Sequence, residues 1–432
     1  MQSTVRIERY ADQGRCVAHI DGRVVFVRFA LPGELVRIEL DEPHDRDDRF
    51  WTGEVVEVVE PSEDRVEPAW PLAGPLANGG GVGGADLIHV SLPGQIKWKS
   101  ASVTEQMRRL GHLEIDDVPV TRIEADNEEH GLNWRTRIEL IADEDGRVSM
   151  RRRASHARVR VDTVPLASKA LLAVARKEDL WNSTFEPGSK IRVAVPEPRD
   201  IRTSRATGKS LLAAVGDNYA ITVDGHLKAG TKRLNEVVDA DGNRYKYGVD
   251  ADGFWQMHRM APPTLVQYLL RLASRELSGV RSAKIWDLYS GSGLFTVPLA
   301  RVFSHASVLS VEGGRVAVRN AERNLHIAKA SDVTTLVGDV SRQLKQVPQQ
   351  LSKPDLVVLD PPRAGAKASV CRQIAEAGAH GVIYVACNPA SLARDAATFN
   401  QLGYALKSIQ AFDIYPMTHH VETVALFTKV RS

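Results

Sequence analysis

The chain has 432 residues, 43% hydrophobic and 25% charged, an ordinary globular composition in a length beyond which single cores stop growing, so two or three domains are expected. A formal net charge of +2 confines any polyanion contact to a local patch. The three cysteines, Cys16, Cys371 and Cys387, stand far apart and in no metal-ligand spacing, which argues against a disulfide scaffold or a zinc ribbon and fits a reducing cytoplasm.

The first residues, Met1 to Arg9, contain no apolar core of signal-peptide length, and no uncharged run approaches the roughly 18 apolar residues of a membrane span. A cytoplasmic protein without membrane contact is expected. Residues 3 to about 60 alternate polar and apolar positions in short runs, separated by turn signals at Asp21-Gly22 and Pro32-Gly33, which predicts a small antiparallel barrel. The Pro/Gly-rich stretch from Glu67 to Ala85 reads as loop. A helix is predicted near Pro93 to Leu110, carrying Lys97, Lys99, Arg108 and Arg109. From about 117 to 252 strands mix with a helix near Ser168 to Leu180. The densest basic run, Arg151-Arg152-Arg153 to Arg158 and Arg160, is a candidate phosphate-binding surface, with a merely solvated face as the bland alternative.

From about 254 onward strands alternate with helices, the signature of a parallel sheet covered on both faces. A helix from Pro263 leads into Lys284-Ile-Trp-Asp287-Leu-Tyr289-Ser-Gly291-Ser-Gly293, which reads as strand, glycine turn, helix. The glycines allow a ligand close to the backbone, and the helix start offers unpaired amides. A second strand ends in Glu312, 21 residues after Gly291, the offset at which a carboxylate takes a ribose hydroxyl. The missing third glycine and the Asp-x-Tyr-x-Gly-x-Gly form favour S-adenosyl-L-methionine over a dinucleotide. Further strands end in Asp339, in Asp360-Pro361-Pro362-Arg363 and in Cys387, and ligands of open α/β sheets bind beyond the carboxyl ends of the strands. Asp287, Glu312, Asp339, Asp360 and Cys387 should therefore converge.

Cys387 lies between the apolar run Gly381–Val385 and a helix with Asn388 as N-cap and Pro389 in its first turn, near a helix dipole that favours thiolate. Glu422 begins a strand. If that strand pairs antiparallel with the run around Leu406 to Phe412, beside the Cys387 strand, base and thiol meet at one sheet edge.

These motifs together, Asp287-Leu-Tyr-Ser-Gly-Ser-Gly293, Asp360-Pro-Pro-Arg-Ala-Gly365, Ala386-Cys-Asn-Pro-Ala-Ser-Leu-Ala-Arg-Asp395 and His420-Val-Glu-Thr-Val-Ala425, resemble the RNA (uracil-5-)-methyltransferase family. The likeness spans the chain: residues 1–62 resemble a TRAM RNA-binding barrel, 63–253 a mixed α+β central domain, and 254–432 a Rossmann-like, class I methyltransferase domain. The resemblance implies Cys387 as nucleophile, Glu422 as base, and Gln256, Tyr289, Gly291, Gly293, Glu312, Asp339 and Asp360 around cofactor and substrate. It implies S-adenosyl-L-methionine as cofactor and a ribosomal or transfer RNA uridine as target, with a monomer and no obligate protein partner expected.

Thiolate addition at uracil C6 makes an enolate whose C5 can attack a sulfonium methyl, and a base must then remove the C5 proton. The target base must leave its stack to expose C6. Three departures stand out. Where many members carry four iron–sulfur cysteines, this chain has Trp70, Val82, Ala85 and Val164, so no cluster is expected. Leu294 and His258 replace residues that are usually asparagine. An RNA cytosine-C5 methyltransferase would need a cysteine in its Asp-x-Pro-Cys motif, where Arg363 stands here. The remaining alternative is a non-catalytic RNA-binding or RNA-folding factor that keeps the fold.

Overall fold

A computed structural model describes residues 1–42, 44–45 and 48–430. The N-terminal strands β1 (Gln2–Arg6), β2 (Arg9–Tyr10), β3 (Arg15–Ile20), β4 (Arg23–Arg28), β5 (Leu35–Leu40) and β6 (Trp51–Glu60) form one sheet, ordered β1-β5-β6-β4-β3-β2. Every pairing is antiparallel except β4 with β6. Alternation sets its faces: in β5 Val36, Ile38 and Leu40 are buried while Arg37 and Glu39 face water. In the turn before β5, Glu34 is wholly buried, but its carboxylate accepts from the Leu31 and Ser62 amides and pairs with Arg65. A buried charge needs such partners.

The glycine-rich stretch that follows is an inward-packed loop. Trp70, Ala73, Val82, Ala85, Leu87 and Ile88 are all buried, in one apolar core shared with the first sheet and with the next one. Helix α1 (Leu92–Arg109) starts at Ser91, whose hydroxyl accepts from the Gly94 amide at 3.1 Å. Strand β7 (Val120–Arg122) and the short helix α2 (Glu124–Glu128) lead into a second six-stranded sheet. Its strands are β8 (Arg137–Ala142), β9 (Val148–Arg151), β10 (Arg158–Arg160), β11 (Lys190–Ala194), β12 (Ala220–Val223) and β13 (His226–Gly230), ordered β10-β9-β8-β11-β12-β13. Helices α3 (Lys169–Lys177) and α4 (Gly208–Val215) interrupt it in sequence. Strands β14 (Arg233–Ala240) and β15 (Asn243–Asp250) form a hairpin.

The remaining chain builds the sheet that carries the site. Helix α5 (Ala261–Glu276) precedes β16 (Lys284–Leu288), α6 (Thr296–Val302), β17 (Ser307–Glu312), α7 (Arg315–Ile327), β18 (Val333–Val337), α8 (Val340–Gln343) and β19 (Leu356–Leu359). Then come α9 (Lys367–Glu376), β20 (Gly381–Ala386), α10 (Pro389–Gln401), β21 (Tyr404–Asp413) and β22 (Glu422–Lys429). The order is β18-β17-β16-β19-β20-β22-β21-β7. The five strands β16 to β20 are parallel; β16, β17, β19 and β20 are mostly buried and apolar, as strands covered on both faces must be, and β18 is a half-exposed edge strand. The terminal hairpin forms as the sequence pattern predicts, β22 lying antiparallel between β20 and β21. One strand is unexpected: β7, from the central region of the chain, adds parallel to β21 through Ala411 to Asp413 and ends the sheet.

Candidate active site

Reversal of β22 brings Glu422 to the sheet edge where Cys387 stands. Ala386 pairs with Thr423, so Cys387, just past the end of β20, and Glu422, at the start of β22, lie at the same sheet edge. Asp360 follows β19, the next strand over. The three groups act on one another. Burial pushes Glu422 well above the usual carboxylate range, and Asp360 adds to the effect. Burial, then Asp287, pushes Asp360 up to about 7. Cys387 is pushed up to about 11 by burial, Glu422 and Asp360, against the single favourable cation Arg363. The expectation that a helix dipole favours thiolate is therefore overturned for the free protein: desolvation and two carboxyl groups outweigh it.

The loop that carries Asp360 and Arg363 is anchored from the helix after Cys387. Asp395 Oδ2 accepts from the Ala366 amide at 2.8 Å and from the Tyr384 hydroxyl at 2.7 Å. Gly365 has φ 82°, and a Cβ there would stand 2.6 Å from the same oxygen, so glycine is required. Asn388 acts as the N-cap of α10, its Oδ1 accepting from the Ala390 amide, while its Nδ2 donates to the Arg363 carbonyl at 2.9 Å. Arg363 Nη2 reaches the His420 ring at 2.9 Å. His420 is pushed down to about 3, first by burial and then by His419 and Arg363, which keeps its ring neutral and able to accept. His419 in turn bonds Asp86 of the glycine-rich loop at 2.6 Å. A cavity of about 150 Å³ opens beside this cluster, lined by Cys387, Arg363 and His420, by Trp98 of α1, and by Gln13 and Gly14 between β2 and β3. The N-terminal sheet thus contributes a wall beside the thiol.

The expected cofactor residues gather at the ends of β16 to β18. Tyr289 leaves β16 with a left-handed backbone, φ 61°, and starts the glycine turn. Glu312 is bonded through both oxygens, Oε2 to the Gly291 amide at 3.0 Å and Oε1 to the Gly314 amide at 2.6 Å. The Gly293 amide closes the turn on the Ser290 carbonyl. Asp339 is exposed and caps α8 by accepting from the Arg342 amide. Burial and the Asp339 charge raise the Tyr289 hydroxyl, which places the two together. A fixed carboxylate over a glycine turn and a second acid one strand away match the hydroxyl-rich nucleoside of S-adenosylmethionine.

One expectation changes. Asp287 does not reach the edge: it is fully buried, its Oδ2 taking the Thr296 hydroxyl at 2.5 Å and its Oδ1 left without a partner. Gln256 is buried in the segment after β15, where the Met257 carbonyl accepts from the Thr136 amide and hydroxyl. His258, two residues on, is wholly buried and bonds Asp126 of α2 at 2.8 Å. Three arginines of the basic run are engaged by the protein's own groups, Arg160 among them at an exposed position. Arg153 donates to the Ala73, Gly74 and Val82 carbonyls and lies over the Phe29 ring, Arg158 donates to the Ala142 carbonyl, and Arg160 pairs with Asp143 and Asp145. Arg151 and Arg152 remain exposed. Trp70, Val82, Ala85 and Val164 are buried apolar side chains with no atom able to ligate iron, so the residues present do not fit a cluster.

Sequence reasoning missed Tyr415. Its hydroxyl lies 3.4 Å from Glu422 Oε2, and Glu422, Cys387 and Asp360 all raise it once burial has done so. Nothing in the local pattern marks it, because the loop folds back only when β22 inserts beside β20.

Comparison with known proteins agrees with this geometry. The family model described as tRNA (Uracil-5-)-methyltransferase matches residues 223–430, and the TRAM domain model matches residues 3–56. An uncharacterized RNA methyltransferase of Bifidobacterium longum is 64% identical, over 99% of this chain and 97% of its own. The chain belongs to the RNA (uracil-5-)-methyltransferase family. Family membership makes it an S-adenosylmethionine-dependent RNA methyltransferase with an N-terminal TRAM domain. The 23S rRNA (uracil(1939)-C(5))-methyltransferase RlmD of Acinetobacter baylyi is 28% identical over 99% of this chain and 96% of its own. The crystal structure of Pyrococcus abyssi tRNA (uracil-54, C5)-methyltransferase with S-adenosyl-L-homocysteine has a TM-score of 0.66 at 21% identity, covering 98% of this chain and 99% of that one. That likeness establishes the fold. Among the described residues, no helix is long and apolar enough to cross a membrane.

Proposed function

We propose that the protein forms 5-methyluridine in ribosomal or transfer RNA, with Cys387 as nucleophile and Glu422 as the base that removes the C5 proton. The observation that carries this is the antiparallel insertion of β22 beside β20, which sets a thiol and a carboxylate at one sheet edge. Tyr289, Gly291, Gly293, Glu312 and Asp339 would hold S-adenosylmethionine, with Gln256 and Asp360 toward the substrate. The cofactor supplies an electrophilic methyl group on a sulfonium.

The chain's own groups account for the rest. Cys387 gives up its proton to solvent and adds to C6 as the thiolate, and the C5=C6 electron pair moves to the enolate. C5 then takes the methyl group. Glu422 accepts the C5 proton, the C5=C6 bond reforms, and the sulfur leaves with its electron pair. A base with a raised pKa suits this proton, since the matched base is one poised near working pH. Asp360, raised to about 7, would hydrogen-bond the uracil edge.

We assign RNA docking to residues 1–62 with the central region 63–253, and chemistry to 254–432. The lost cluster ligands are replaced by apolar packing and the Arg153 crosslink, so the fold is held without iron.

The test is a denaturing gel with methyl-labelled cofactor and RNA. Cys387→Ala should give neither product nor adduct. Glu422→Gln should accumulate a denaturant-stable protein–RNA adduct carrying the label, as should the natural enzyme on RNA with 5-fluorouridine at the target. Methylation by Cys387→Ala would end the assignment, and normal turnover by Glu422→Gln would remove Glu422 as the base. The non-catalytic alternative predicts no label in RNA at all.

A further inference from the structure

Glu422 is buried with a single hydrogen-bond donor among the described residues. Its Oε2 faces the Tyr415 hydroxyl at 3.4 Å, while its Oε1 is buried and has no partner. Tyr415 sits on the loop joining β21 to β22, and that loop is pinned from outside the catalytic sheet. Lys99 of α1 donates to the Tyr415 carbonyl at 2.9 Å, and the Thr418 hydroxyl donates to the same oxygen at 2.8 Å. Lys99 is itself wholly buried against Asp413, which also takes Arg122 of β7. Gln95, one turn earlier on α1, accepts from the Met417 amide at 2.9 Å. The phenol ring packs edge-on against Trp134 and His420. Few surface-type residues would be sequestered this way unless the loop needed one fixed position, because burying Lys99 and Asp413 costs desolvation that only close pairing offsets.

We infer that Tyr415 is a positioning residue for the deprotonation step: its hydroxyl donates to Glu422 Oε2, orients the carboxylate and leaves Oε1 to receive the C5 proton. The inference rests on Glu422 being the base. The phenol keeps its own proton throughout; the C5 proton passes to Oε1 as the Cys387 sulfur leaves C6. The same bond favours the carboxylate over the acid, opposing burial and Asp360, which favour the acid. The other groups facing this site are Cys387 after β20, Asp360 and Arg363 on the loop after β19, and the Lys99–Asp413–Arg122 cluster beneath the loop. None of these donates to Glu422.

Tyr415→Phe removes one oxygen and leaves the ring packing. The measurement is single-turnover tritium release from RNA labelled at uridine C5, followed from about pH 5.5 to 9. Loss of a hydrogen bond to a charged group corresponds to about 1 pH unit. The acid limb should move up by that amount, making release about 10-fold slower below the limb and close to normal on the plateau. Lys99→Met, which frees the Tyr415 carbonyl without touching the phenol, should shift the limb in the same direction, and it serves if Tyr415→Phe fails to bind S-adenosylhomocysteine. An unchanged profile, or an equal loss at every pH, would overturn the inference, the second because it marks a packing role. Glu422→Gln is run alongside. If it stalls as a methylated adduct while Tyr415→Phe is normal, Tyr415 alone is wrong; if it releases tritium normally, both the base and this inference fall.

Discussion

Asp287→Asn should make the folded protein more stable at neutral pH, although it replaces a residue of the most recognisable motif in the chain. Asp287 is fully buried at the end of β16 and pushed from 3.8 up to about 7, mainly by desolvation. Between those two values the folded state holds a proton that the unfolded chain has lost, so stability falls as pH rises through this window and stays low above it. Three pH units correspond to about 4 kcal/mol. An asparagine carries no charge to desolvate. Its oxygen can keep the Thr296 hydroxyl, while its amide group takes the place of the unpartnered Oδ1 and costs about 1–3 kcal/mol for being unpaired. The net gain is about 1–3 kcal/mol above pH 7, and it is gone or reversed near pH 4, where the folded acid holds its proton and the unfolded one is only partly ionised. Urea denaturation at pH 7.5 and pH 4.5, comparing midpoints for the two proteins, reads this directly. A variant less stable at pH 7.5, or a gain equal at both pH values, would refute the claim that Asp287 is a desolvated carboxyl.

The remaining expectations concern the thiol, the missing cluster and the RNA surface. In the free enzyme Cys387, raised to about 11, should alkylate slowly at pH 7.5, with the rate climbing about 10-fold per pH unit toward 11, and Glu422→Gln should shift that rise to lower pH; rapid alkylation at pH 7, located by peptide mapping, would contradict the burial argument. Protein purified without oxygen should contain no stoichiometric iron or acid-labile sulfide and show no visible charge-transfer band, since Trp70, Val82, Ala85 and Val164 supply no ligand. Arg153→Met should destabilise the fold by about 2–3 kcal/mol by stranding buried carbonyls and Glu54, yet leave the salt dependence of RNA binding unchanged. Arg151→Ala with Arg152→Ala should do the reverse, flattening the salt slope by about 1 for each phosphate left without its arginine, as measured by RNA affinity across a salt series.

Periodicity, turn residues and strand-end motifs made much of the molecule legible in one dimension. The alternation in Leu35–Leu40, the cap at Asn388 and Pro389, and the glycine turn after Asp287 are local signals, each decided by residues within a turn or a strand of one another. The same holds for Cys387 and Glu422, whose chemistry is written in their side chains and whose meeting follows once the last two strands are paired. In the Arg151–Arg160 run, sequence shows charge but not the carbonyls and carboxylates that the fold turns onto Arg153, Arg158 and Arg160.

What the sequence determined by itself was therefore the set of elements and the chemical types at their ends. Tertiary structure decided the environment of each group, because desolvation and charge–charge effects depend on distance in space and not on separation along the chain. It turned Asp287 inward, raised Cys387 instead of lowering it, and placed Tyr415 against Glu422. It also reached across 314 residues to set Lys99 on Asp413, fixing the loop before Glu422 from a helix that no strand-end motif marks.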